Sequence, residues 1–191
     1  MRYLILILAI FFSGCGFKEL KPLSYYSIKE PTSLPKVNRY PNATLKMDYP
    51  LALNRSLDYK MAFEYDNGKS GYYQNSQWLT PLNRMIRSNI ITTLNRAKVF
   101  KSVVPMESSV FENYRLEVTI NNFKNVIENN TSYALIDINV SLIDMDNRSI
   151  VKRKNFRYKV MANTLNAKGY AEAVNRAFAK FDRDLVEWLG R

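Results

Sequence analysis

From Leu45 onward apolar side chains recur at every second position, which confines the chain to sheet-forming folds whose strands each bury one face. Leu45, Met47 and Tyr49 form a first set, and Leu57, Tyr59, Met61, Phe63 and Tyr65 a second. Asn67-Gly68 is a strong turn signal after the second set, and Tyr72-Tyr73 begins the returning strand of a hairpin. Further strands are expected at Val99 to Val104, at Tyr114, Leu116, Val118 and Ile120, at Ile136, Ile138, Val140 and Leu142, and at Phe156, Tyr158 and Val160. The last three are joined by turn-rich links at 128–131 and 144–148, the pattern of an antiparallel meander.

Two stretches change the period to that of a helix. One begins between Trp78 and Pro81, with Thr80 as a cap and Pro81 in the first turn, and carries Leu79, Leu82, Ile86, Ile90, Leu94 and Ala97 on one face. The other begins near Asn166 and aligns Tyr170, Val174, Ala177, Phe178, Phe181, Leu185, Trp188 and Leu189, with Glu172, Arg176, Lys180, Arg183 and Glu187 on its back. A short strand at Tyr25 to Ile28 and a Pro-punctuated loop from Pro31 to Pro41 precede these elements. Two amphipathic helices and a mixed sheet predict one α/β domain over residues 25–191.

The first residues read differently. Arg2 is followed by an apolar run from Tyr3 to Phe12 and then by Ser13-Gly14-Cys15, the order of a secretory signal peptide (1–14) ending in a lipobox. The run is shorter than the roughly 20 apolar residues that span a bilayer. Cleavage between Gly14 and Cys15 would free an amine, and the Cys15 thiol would carry a thioether-linked diacylglycerol; with a further chain such as palmitate on the amine, anchoring would be permanent. Cys15 is the only cysteine, so no intramolecular disulfide forms. The rival reading is an ordinary secreted protein with a chance cysteine. Gly16 rather than Asp follows Cys15, which favours the outer over the inner membrane. Residues 15–24 would be a lipidated tether, keeping the domain within about 30 Å of its membrane.

Removal of residues 1–14 leaves 177 residues with a net charge of +10, which suits nucleic acid, anionic head groups or an acidic partner. Export argues against nucleic acid. Histidine is absent and the one cysteine serves the anchor, so the commonest general base, thiol catalysis and the usual zinc ligands are missing. No Gly-rich phosphate loop occurs, and no cofactor or metal is expected. Asp144, Asp146 and Asn147 lack the downstream Gly and Glu of a calcium loop and read as a turn. Lys152, Arg153 and Lys154 either face anionic groups of a membrane or partner, or are the solvated face of a protected edge strand. Trp78 reads as core or as part of an aromatic partner surface with Tyr72 or Tyr73; neighbours on a strand point opposite ways, so one of the two tyrosines must face away from the core.

Taken in order, these residues resemble the ABC-type transport auxiliary lipoproteins, the PqiC-like components of lipid transporters that contain MCE domains. The resemblance rests on the lipobox, on Tyr25-Tyr26-Ser27-Ile28, on Tyr49-Pro50 with a loose Leu51-to-Arg55 sequel, and on the stretch from Tyr72-Tyr73 through Trp78-Leu79-Thr80-Pro81-Leu82. Tyr114 to Val118 and the closing helix match in position and spacing. It implies a three-layer α/β domain like the amino-terminal domain of TolB-like proteins, without enzymatic activity. It further implies docking to an MCE-domain protein served by an ABC permease and ATPase on other chains, and homo-oligomerisation in a ring matching the MCE ring. The role implied is movement of phospholipid or other lipid between inner and outer membranes. Two other readings compete: an assembly factor or plug for an outer-membrane pore or lipopolysaccharide export complex, and a periplasmic hydrolase using Ser or carboxylates.

Overall fold

The computed structural model describes residues 22–52 and 57–191. The expected leader, Gly14, Cys15 and most of the tether lie outside them. The elements run β1 (Ser24–Tyr26), β2 (Tyr40–Met47), β3 (Leu51–Ala52), β4 (Lys60–Tyr65), β5 (Ser70–Trp78), α1 (Leu82–Arg96), β6 (Phe100–Pro105), β7 (Tyr114–Glu128), β8 (Thr131–Asp144), β9 (Ser149–Met161) and α2 (Ala167–Gly190).

All nine strands join one mixed sheet, and β7 is its spine. One edge of β7 pairs with β8 along its whole length, antiparallel as the short 128–131 link demands. The other edge takes three parallel partners in succession: β2 at Tyr114–Leu116, β3 at Thr119–Ile120 and β4 at Asn125–Ile127. Beyond β2 lies β6, parallel to it; beyond β4 lie β5, antiparallel, and then β1. β9 pairs with β8 alone and closes the meander as an edge strand. Between β4 and β5 the chain turns at Asn67-Gly68, where Gly68 has φ +81°, a left-handed value that glycine adopts without strain.

Both helices cover the same face of this sheet. Phe178 and Phe181 of α2 meet Phe123 of β7 and Phe156 of β9 edge-on or tilted, with centroids 6.1 and 5.3 Å apart. The side chains of Asn89 and Thr93 on α1 bond directly to Asp182 on α2, which helices on opposite sides of a sheet could not do. One continuous core results, with Ile86, Ile90 and Leu94 of α1 and Tyr170, Val174, Ala177 and Leu185 of α2 fully buried. Among the described residues the domain therefore has two layers, not the three implied by the resemblance, and the far face of β7, β8 and β9 carries no helix.

Local departures from the sequence reading have local causes. Trp78 ends β5 rather than opening a helix, because its N–H bonds to Tyr59 O at 2.7 Å and the Leu79 N–H bonds to Tyr26 O at 2.7 Å, holding both residues extended. Thr80 precedes a proline and is pushed away from helical backbone; it does not cap α1, whose N-cap is Pro81 with no side-chain bond, and Leu79 is exposed. Met61 is core as expected, but Tyr59 precedes β4 and Tyr65 ends it at the Asn67-Gly68 turn, and both rings lie exposed instead of in the core. α2 starts as its sequence predicts: Asn166 is the N-cap, and its side chain accepts from the Gly169 N–H at 3.0 Å.

Candidate functional site

Between Ile120, paired with β3, and Asn125, paired with β4, β7 changes partner, and its register against β8 slips in the same interval. A cleft of about 240 Å³ opens there. Its apolar lining is Leu57, Ala62, Leu82, Ile120 and Phe123; its polar lining includes Lys60, Glu64, Tyr72, Asn121, Asn122 and Lys124. The charges are compensated: Lys124 Nζ is 2.6 Å from Glu64 Oε1, while Lys60 lies 3.7 Å from Asp58 and stacks over the Tyr72 ring at 5.2 Å. A cleft so lined can hold a small amphiphile. Among the described residues it brings together no nucleophile and base, since the carboxylate of Glu64 is tied to a lysine.

Tyr72 is exposed at this cleft, whereas Tyr73 turns to the other side of β5 and is half-buried, its hydroxyl accepting from Asn125 Nδ2 at 2.7 Å. Burial pushes the Tyr73 phenol up from its ordinary value, partly offset by that bond. Trp78 is core, edge-on to Phe123 at 5.9 Å and Tyr170 at 5.7 Å.

The basic run on β9 is separated from β5 by three strands, β4, β7 and β8, and does not act as one patch. Lys152 points to the helix side and donates to Trp188 O at 3.2 Å, near the carbonyl-rich end of α2. Lys154, on the same side, stands over the Phe156 ring at 4.8 Å. Arg153 projects from the helix-free face and donates through Nε to Ser141 Oγ at 3.0 Å. Trp188 is half-buried beside these lysines rather than fully in the core.

The 144–148 segment is a turn. Asp144 Oδ1 accepts the N–H groups of Asp146 and Asn147, both at 2.9 Å, and those bonds hold its carboxyl below the ordinary value. Among the described residues no cluster of His, Cys, Asp or Glu could hold a metal ion, and no helix is long and apolar enough to cross a membrane.

The sequence reading overlooked two groups. Asp182 is 1% exposed between the helices, and burial raises its carboxyl to about 6 against the hydrogen bonds of Thr93 and Asn89. Its spacing signals this, since it falls four residues after Phe178 and three before Leu185, on the apolar side of α2. Phe111 stands 97% exposed in the link between β6 and β7, where no periodicity marks it.

Comparison with known proteins agrees with this architecture. The crystal structure of protein XCC0632 from Xanthomonas campestris superposes with a TM-score of 0.74 at 15% identity, covering 88% of this chain and 94% of that one. A second crystal structure, of an uncharacterized protein, gives 0.68 at 12% identity, over 88% and 99%. The PelC dodecamer from Paraburkholderia phytofirmans aligns less well, at 0.46 and 11% identity over 80% and 95%. The first two likenesses show a shared fold. No curated protein matches the chain. Residues 50–186 match the family model for the ABC-type transport auxiliary lipoprotein component, which takes in every strand from β3 onward, α1 and most of α2. The chain therefore belongs to the ABC-type transport auxiliary lipoprotein family, whose members are lipid-anchored parts of the cell envelope.

Proposed function

We propose that the protein is a non-enzymatic periplasmic subunit of an MCE-type ABC system that moves phospholipid or other lipid between inner and outer membranes. It is anchored by acyl chains on Cys15, in the outer membrane, and works with an MCE-domain protein, a permease and an ATPase. The observation that carries this reading is the family match over residues 50–186, standing behind a lipobox at 12–15. Two features support the absence of catalysis: a composition without histidine, and a cleft whose Glu64 carboxylate is held by Lys124. The kinship to TolB-like domains belongs to the same proposal.

The experiment is affinity purification of the carboxy-terminally tagged protein from crosslinked native membranes, beside a Cys15→Ala control, with mass spectrometry of the partners and the amino-terminal peptide. The expected result is an acylated Cys15 in company with MCE, permease and ATPase chains, and loss of the control from the membrane fraction. A lipidated protein bound to a different machine overturns the transport assignment. An unmodified amino terminus overturns the anchor.

A further inference from the structure

The terminal strands of the sheet, β1, β6 and β9, differ in how their outer edges are closed. β1 is only three residues long. β6 is six, and its outer edge is stoppered by a side chain: Asn95 Oδ1 accepts the Val103 N–H at 2.9 Å while Asn95 Nδ2 donates to Val103 O at 2.8 Å, the pair of bonds a neighbouring strand would make. β9 is 13 residues long and pairs with β8 alone, in unbroken register from Lys152 to Met161. Among the described residues its outer N–H and C=O groups have no backbone partner, and Met161 O alone is covered, by Arg176. Of its side chains only Phe156 and Val160 are buried. An edge of this length, without bulge or proline from Lys152 onward, is a template for one more strand.

β9 carries five cations, Lys152, Arg153, Lys154, Arg157 and Lys159, and no carboxylate. With Phe156 and Val160 in the core, Lys152 and Lys154 lie on the helix side and Arg153, Arg157 and Lys159 on the other. A flat anionic bilayer meets one face of a sheet at a time. A strand laid along the edge has side chains on both faces and meets all five. Neighbouring acids leave this charge largely uncompensated: Arg157 and Lys159 reach Asp137 and Glu128 only at 3.8 and 3.9 Å, Asp184 accepts from the Tyr158 hydroxyl, and Glu187 pairs with Arg191. Charge also decides against a second copy. β1, β5, β6 and β9 hold no Asp or Glu, so any free edge of an identical chain would bring neutral residues or further cations to β9. Cations on both sides of an open edge repel such strands and select an acidic one.

We propose that β9 docks an extended acidic segment of another envelope protein as an added strand, its backbone on the open edge and its carboxylates opposite the five cations. This goes beyond the transport reading and does not depend on it. The test titrates the detergent-extracted full chain with a blocked peptide of Glu, Thr and Val whose glutamates face the five cations, and follows hydrogen exchange by mass spectrometry. Saturable binding should slow exchange in β9 and not in β1 or β6. Of two alternately N-methylated forms of the peptide, one should bind as before and the other about tenfold or more weaker, since both keep the charge and only one loses its ladder bonds. Arg157→Gln with Lys159→Gln should weaken binding by about fivefold at an unchanged thermal midpoint. In native membranes a benzophenone amino acid at position 161, on exposed Met161 at the end of β9, should give an adduct with a Glu- or Asp-rich segment of another protein. Equal binding of the two methylated peptides, binding without protection of β9, or no binding overturns the inference. So does an adduct with phospholipid, with a second copy or with a segment lacking acids, or the absence of any adduct. The transport reading survives each of these outcomes, because it rests on the chains recovered with the protein.

Discussion

Asp182 gives the structure its sharpest quantitative test, through the substitution Asp182→Asn. The carboxylate lies between α1 and α2, accepting from Thr93 Oγ1 at 3.0 Å and weakly from Asn89 Nδ2 at 3.4 Å, while Asn89 Oδ1 is buried without a partner. Burial raises the group from 3.8 to about 6, so the folded state holds this proton more tightly than the unfolded chain does. Stability contributed by the protonated form is full below the unfolded value and is lost as pH rises through the folded one, by about 3 kcal/mol in all. Asparagine removes that titration. Its oxygen can still accept from Thr93, and its amide can donate to Asn89 Oδ1 once the Asn89 amide turns over. Urea denaturation of the signal-free Cys15→Ala protein, with and without Asp182→Asn, should show the variant's advantage growing by about 2 kcal/mol between about pH 4.5 and about pH 7.5. A difference constant across that range, or one that shrinks as pH rises, refutes the assignment of a desolvated carboxyl between the helices.

Two further substitutions test the framework. Asn166→Ala removes the cap bond to the Gly169 N–H and should cost about 1 kcal/mol, read as a lower urea midpoint with an unchanged slope. Trp78→Ala empties a fully buried site between β7 and α2, where the ring meets Phe123 and Tyr170, and should cost about 3–5 kcal/mol; a loss below about 1 kcal/mol would mean that the ring does not join sheet to helix.

The meander was legible in the sequence because its links are short: 128–131 and 144–148 leave β7, β8 and β9 no choice but to pair in order. The parallel pairings of β7 with β2, β3 and β4 were not, since nothing in an alternating strand states which distant strand it will meet. Nor does an apolar stripe reveal which side of a sheet a helix will cover. Only the polar residues within the stripes, Asn89 and Thr93 on one helix and Asp182 on the other, show that α1 and α2 are neighbours on one face. The start of α1 was misread for a third reason: Trp78 and Leu79 fit the helical period, but the hydrogen bonds they donate to the Tyr59 and Tyr26 carbonyls and the proline at 81 decide their backbone. Of the candidate partner residues, the opposite pointing of Tyr72 and Tyr73 follows from strand geometry alone. The same rule splits Lys152 and Lys154 from Arg153, although a run of three cations reads as one patch.

The helix-free face is neither bare nor soft. Asp137, nearly buried on β8, accepts from Asn121 of β7 at 2.9 Å and from Asn155 of β9 at 2.7 Å, and Asn155 also donates to Asn139 Oδ1 at 2.8 Å. These bonds brace three strands at the height where β7 slips its register, a place where a sheet would otherwise twist and loosen. The bracing lies beside the cleft, midway along β7, so that the cleft is carried on a stiff part of the sheet. A cleft on a braced sheet keeps its shape, so little entropy is lost when a ligand or partner docks there.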